Sequence, residues 1–160
     1  MIKTGKEHLS QLRDGRVVYI GDEKIDDVTT HPAFEKAAQK VAELYDIKHQ
    51  EIYKDVLSYE ENGELCSTWF LQAKNKSDLR KRSKAHKVIA DQTSGMMGRS
   101  MDHVASFVTG MSTNPDIFDS GKYKFKENLL NYYKYMKKND VFASYAVVPP
   151  QAARNPEFYQ

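Results

Sequence analysis

Apolar and polar positions along the chain alternate in two periods, and together they predict helices separated by two short hairpins. "TGKEHLSQLRDG" (4–15) reads as a short helix with Thr4 as N-cap and Gly15 as its stop. "RVVYIGDEKI" (16–25) reads as a hairpin, two β-prone runs around Gly21-Asp22. In "HPAFEKAAQKVAELYDIKH" (31–49), Phe34, Ala37, Ala38, Val41, Leu44 and Tyr45 recur at helical spacing. Pro32 suits the first position of that helix. "VLSYEENGELCSTWFLQA" (56–73) predicts a second hairpin, because Asn62-Gly63 supplies the positive φ that a two-residue turn needs. Ser77 is the expected cap of a long helix running to Thr93, interrupted by Gly95 and Gly98. A further helix is expected at about 100–111, a loop with Pro115 over 112–121, and another helix over 122–140. The last twenty residues, 141–160, differ: a short strand, a Pro149-Pro150 break and a tail without periodicity. That strand either pairs with one of the hairpins or opens a further domain. The fold class is therefore mainly α with small β-hairpins.

Composition narrows the function classes. The chain has 160 residues, 40% hydrophobic and 29% charged, enough for one sizeable core. With 24 basic and 22 acidic residues the net charge is +2, so no whole-protein field argues for nucleic acid. The basic runs over 74–87 and 122–138 read as solvated helix faces. Cys66 is the only cysteine, which excludes an internal disulfide and a cysteine metal cluster and fits a reducing, cytoplasmic setting. No apolar run reaches the length of a membrane span, and the first residues lack a signal-peptide core.

Common catalytic signatures are absent: no GxGxxG, no phosphate-binding glycine loop, no GxSxG, no HExxH. His8, His31, His49, His86 and His103 are scattered, so no metal is expected. The informative stretch is "GMMGRSMDHVASF" (95–107), which sets Arg99 and His103 four residues apart among apolar and small residues. At the start of a helix the two side chains share a part of the surface. A guanidinium there can hold a phenolate, and an imidazole can orient or deprotonate it. The alternative is a structural arginine paired with an acid such as Asp102, and a histidine donating to a backbone carbonyl. Met96 and Met97 suit a flat apolar ligand or a core. Tyr123, Phe125, Tyr132, Tyr133 and Tyr135 read mostly as helical-face core and rim, and Trp69 on the second hairpin as core.

"GRVVYIGDEKIDDVTTHPAFEKAAQKVAELYD", "SGMMGRSMDH" and "ASYAVVPPQAARNPEFY" together resemble the N-terminal part of the 4-hydroxyphenylacetate 3-hydroxylase family. The resemblance runs in order across essentially the whole chain. The "GRSMDHVASF" form resembles the chlorophenol and nitrophenol branch more than the 4-hydroxyphenylacetate enzymes. It implies an acyl-CoA dehydrogenase-like fold, with a helical N-terminal domain at 1–140 and the first strand of a middle β-domain at 141–160. The rest of that fold would lie in missing C-terminal domains or a downstream chain. The related 4-hydroxybutyryl-CoA dehydratases carry cluster-ligating cysteines in the corresponding region; Cys66 lies outside the motif, which disfavours that chemistry.

The resemblance implies a two-component, FADH2-dependent aromatic monooxygenase acting on a chlorophenol, nitrophenol or 4-hydroxyphenylacetate-type phenol. A separate NAD(P)H-dependent flavin reductase supplies reduced FAD. Oxygen from O2 reaches the ring through a flavin hydroperoxide. Arg99 matches the family's substrate-contacting arginine. His103 stands where the 4-hydroxyphenylacetate enzymes have a tyrosine, and Tyr145 where many carry a histidine. Arg99 and His103 are the implied catalytic pair, with Tyr145 as a further substrate contact. Tyr145, Val148, Gln151 and Arg154 are the implied flavin contacts. The complete protein is expected to be a cytoplasmic homo-oligomer, a homotetramer, without nucleic acid, membrane or metal, and this chain alone is expected to be incomplete and inactive. The rival expectation is a non-catalytic helical binding or scaffold protein derived from the same family.

Overall fold

The computed structural model describes residues 2–96 and 101–144, with Met101 and Asp102 described by backbone alone. Helix α1 spans Gly5–Gln11 and opens on a capping box: Glu7 N–H donates to Thr4 Oγ1 at 3.2 Å and Thr4 N–H to Glu7 Oε2 at 2.7 Å. It stops short of Gly15. A Cβ at Gly5 would sit 2.5 Å from the Ala42 carbonyl oxygen, so only glycine lets α1 lie this close to the next helix. Strands β1 (Val18–Ile20) and β2 (Glu23–Ile25) pair antiparallel across the expected Gly21-Asp22 turn.

Helix α2, Glu35–Asp46, begins later than Pro32 would set it. His31 makes a turn of its own, its carbonyl accepting from Phe34 and Glu35 N–H and its Nδ1 from Ala33 N–H at 3.2 Å. Pro32 therefore lies in that turn. A 3-10 turn, Ile47–His49, follows, and then α3, Glu51–Leu57. The sequence pattern did not show α3, whose seven residues are too few for a readable period.

Strands β3 (Ser58–Glu61) and β4 (Glu64–Ser67) close on Asn62 and Gly63, at φ 54° and 79°. The second hairpin is thus shorter than 56–73, and Trp69 sits in a 3-10 turn, Thr68–Phe70, in the core. Helix α4, Lys76–Gln92, is capped by Asn75, not Ser77: Asn75 Oδ1 accepts from Asp78 N–H at 3.0 Å. Gly95, at φ 74°, closes its end by donating to the Ala90 carbonyl. Helix α5 spans Met101–Thr113. The expected loop after it contains a 3-10 helix, Pro115–Asp119. Helix α6, Lys126–Lys138, starts where Asp119 Oδ1 takes the Lys126 N–H at 3.0 Å. Residues 141–144 lie in no strand, and the remainder of the expected β-segment lies outside the described residues.

The core gathers Leu44 and Tyr45 from α2, Leu57, Phe70, Ile89 of α4, Ala105 of α5 and Met136 of α6. On α6 Tyr133 and Met136, three residues apart, are buried, and Leu129 packs against the same core half-buried. Of the aromatic set read as helical-face core and rim, Tyr133 is core, while Tyr123, Phe125, Tyr132 and Tyr135 are exposed. The helix lies over the surface on one stripe, and its other aromatic rings face away from it.

Candidate functional site

Helix α5 is seated by polar contacts at three positions along one face, Ser106, Thr109 and Ser112. Arg82 of α4 donates through Nη1 to the Trp69 carbonyl at 3.0 Å and the Leu71 carbonyl at 2.8 Å, and through Nη2 to Ser106 Oγ at 2.7 Å. Thr109 Oγ1 donates to the Trp69 carbonyl at 3.0 Å, and Gln72 Nε2 to Ser112 Oγ at 2.8 Å. These bonds fix the helix's rotation and hence the direction of His103 at its third position. His103 is half-buried, its ring edge-on to exposed Phe107 at 4.9 Å.

Of the residues predicted for the site, His103 is described; Arg99, Tyr145, Val148, Gln151 and Arg154 lie outside the described residues, as do Met97 and Gly98. Met96 is 87% exposed, so it fills no core. Among the described residues no cluster of three histidine, cysteine or acidic side chains is placed to hold a metal ion.

The segment that leads to Tyr145 starts from a buried polar node that the sequence reading missed. Lys48 donates through Nζ to Asp140 and to Ser67 Oγ, the latter at 3.1 Å, and is fully buried. Its ammonium lies 4.1 Å from the Tyr45 ring centroid and 4.7 Å from that of Trp69. Asp140 also accepts from Ser67 Oγ at 2.6 Å and from Lys3 N–H at 3.0 Å, while Tyr45 Oη donates to its carbonyl at 2.8 Å. Burial opposes ionisation of Asp140, but the Lys48 charge together with the hydrogen bonds from Lys48, Ser67 and the Lys3 N–H outweighs it and holds the carboxyl below its usual range. Burial pushes Lys48 down to about 8 against the pull of Asp140. A signal was present: Lys48 follows Val41, Leu44 and Tyr45 at i+7, i+4 and i+3, a lysine on the apolar stripe.

Beside α1 and α2 runs an open groove of about 770 Å³, bordered by Lys3, His8, Phe34, Val41, Phe142 and Ser144. His8 stacks on Tyr45 at 4.9 Å and meets Phe142 edge-on at 6.2 Å. Burial first, then the nearby cations Lys3, Lys48 and Arg16, push His8 down to about 4.

Six helices and two separate hairpins among the described residues form the helical N-terminal architecture of an acyl-CoA dehydrogenase-like fold. The chain belongs to the family described as "4-hydroxyphenylacetate 3-hydroxylase N terminal", whose model matches residues 4–160. It is 40% identical over 156 residues to a 4-hydroxyphenylacetate 3-monooxygenase oxygenase component of Thermus thermophilus, covering 96% of this chain and 31% of that protein. It is 37% identical over 155 residues to the oxygenase component of a 4-nitrophenol 2-monooxygenase of Rhodococcus sp, covering 95% and 29%. A crystal structure of the oxygenase component of 4-hydroxyphenylacetate 3-monooxygenase, complexed with FAD and 4-hydroxyphenylacetate, superposes with a TM-score of 0.87 at 38% identity, over 97% of this chain and 32% of that one. The chain thus spans about a third of the length of these relatives.

Proposed function

We propose that the chain is the N-terminal, substrate-side part of an FADH2-dependent oxygenase component that hydroxylates a phenol. The observation that carries this reading is the seating of α5. Arg82, Thr109 and Gln72 hold the helix that begins just after Arg99 and presents His103, inside a chain whose relatives are named as oxygenases of phenols. In this reading residues 1–140 are the helical domain and 141–160 enter a middle β-domain. Reduced FAD, delivered by a separate NAD(P)H-dependent flavin reductase, and O2 supply the oxygen atom. Arg99 holds the phenolate oxygen or a ring substituent through its planar fork. His103 hydrogen-bonds the phenol and takes its proton. Tyr145 closes the substrate side, and Tyr145, Val148, Gln151 and Arg154 face the flavin. A cytoplasmic homo-oligomer completes the reading; among the described residues no helix is long and apolar enough to cross a membrane.

The test is hydroxylation of 4-nitrophenol, a chlorophenol and 4-hydroxyphenylacetate with a flavin reductase and NADH. It is run on this chain and on the chain extended with the C-terminal region of a relative. The extended form is expected to turn over and the 160-residue chain to be nearly inactive. In the active form Arg99→Lys loses a charge-assisted hydrogen bond of about 1.5–3 kcal/mol, roughly ten- to a hundredfold in kcat/KM. Arg99→Lys hydroxylating within about twofold of wild type, with a normal melt, makes Arg99 a structural residue and removes the reading's main residue.

A second reading, a non-catalytic helical binding protein, is favoured by the rings of Tyr123, Phe125, Tyr132 and Tyr135, which give the α6 region an aromatic surface left exposed among the described residues. It expects no thermal stabilisation by FAD or phenols in any assembled form.

A further inference from the structure

The groove beside α1 combines three features that point to one ligand chemistry. Its long walls are apolar, formed by Phe34, Ala38, Val41 and Phe142. Its charged lining is basic: Lys3 and Arg16 contribute, beside the neutral imidazole of His8, and no carboxylate does among the described residues. Its volume, about 770 Å³, falls within the size of small-molecule clefts.

The decisive residue is Lys3, which is only 8% exposed. Its backbone N–H is bonded to Asp140, but its Nζ has no hydrogen-bond or salt-bridge partner among the described residues. The ammonium lies 5.2 Å from the Tyr45 ring centroid, a weak substitute for an anion. Asp140 is already taken by Lys48 and Ser67, and Arg16 is held by Asp14. The His8 ring, 6% exposed, likewise stacks without hydrogen-bonding. No side-chain nitrogen is both sealed from solvent and unpartnered, so these nitrogens keep access to open space, and both residues border the groove. Asp140 and Glu7 attract this ammonium without hydrogen-bonding it, and a ligand carboxylate in the groove would add a direct charge-assisted hydrogen bond.

We propose that this groove binds a small carboxylate with an apolar body, a medium-chain alkanoic acid. The carboxylate sits on Lys3 Nζ with His8 donating a second hydrogen bond, and the apolar body lies along Phe34, Ala38, Val41 and Phe142. A neutral molecule leaves the amine unpaired, and a cation is repelled by it. None of these residues belongs to α5 or to the residues assigned to substrate or flavin in the oxygenase reading, although Phe142 lies in the segment that leads to Tyr145.

The test is a titration of the 160-residue chain with hexanoate near neutral pH, followed by methyl NMR, with 1-hexanol and hexylamine as the neutral and cationic counterparts. Hexanoate is expected to shift the Ala38 and Val41 methyls, leave Val104 and Val108 of α5 in place, and raise the His8 titration midpoint from about 4. Hexanol is expected to bind at least about tenfold more weakly, and Lys3→Met, which keeps the aliphatic stem, to weaken hexanoate by a similar factor. Ala37→Trp, on the exposed side of the groove, should block binding while leaving the core intact, which keeps the test open if Lys3→Met folds poorly. Equal binding of hexanol, undiminished binding by a folded Lys3→Met or Ala37→Trp chain, shifts confined to α5, or no shift in the wild type would each overturn the proposal.

Discussion

Lys3 and Lys48 approach the same Tyr45 ring and the same Asp140, yet the fold uses them differently. Lys48 gives its ammonium to Asp140 and Ser67 and is sealed. Lys3 gives Asp140 only its backbone N–H and keeps its ammonium at the edge of the groove. With Asp140 the first ties four parts of the chain together: the N-terminal segment, the 3-10 turn after α2, β4 and the exit from α6. The second is attracted by Asp140 and Glu7 but its ammonium bonds to neither. A buried cation bonded to a carboxylate is architecture, whereas one without a hydrogen-bond partner among the described residues leaves room for an anion.

The comparison breaks most visibly at Lys48. Lys48→Met leaves Asp140 buried without its counter-charge, and should cost about 3–5 kcal/mol of unfolding free energy in urea. Adding Asp140→Asn, which keeps an acceptor and tolerates the φ of 44° at that position, should recover a large part of the loss. If the single variant unfolds like wild type, the node is not what holds these segments together.

A smaller effect separates the two regions by pH. His8 has its ordinary value of 6.5 in the unfolded chain and about 4 in the folded one. The unfolded chain therefore takes the proton first, so the stability contributed by neutral His8 is complete above pH 6.5 and falls as pH drops towards 4. Asp140, held below its ordinary 3.8, contributes above that value and loses its contribution only in stronger acid. Urea midpoints for wild type should decline from pH 6.5 to 4, and those of His8→Phe should be flatter over that window. Parallel declines would place the acid sensitivity elsewhere.

The smallest effect is expected at Lys3. Replacing an unpaired, desolvated amine by a methionine of similar length should change stability by no more than about 1 kcal/mol in the absence of a carboxylate. A loss as large as that of Lys48→Met would show that Lys3 is structural after all.

Much of the chain was legible in its residues. The Thr4 cap, the turns at Gly21-Asp22 and Asn62-Gly63, and the stripe of α2 act through neighbours a few positions away, so pattern suffices to place them. The family was legible too, through "SGMMGRSMDH" and the segments around it, and the match over residues 4–160 bears that out. Boundaries set by competing side chains were not: His31 displaced the start expected at Pro32, and Asn75 the cap expected at Ser77. Tyr133 and Tyr135 look alike in sequence, and only the packing of α6 decides that one is core and the other bare. The Lys48–Asp140 node and the unpaired Lys3 depend on partners up to 137 residues apart. Local spacing carries no information about such meetings, because the free energy of a buried charge is set by what the finished fold places beside it.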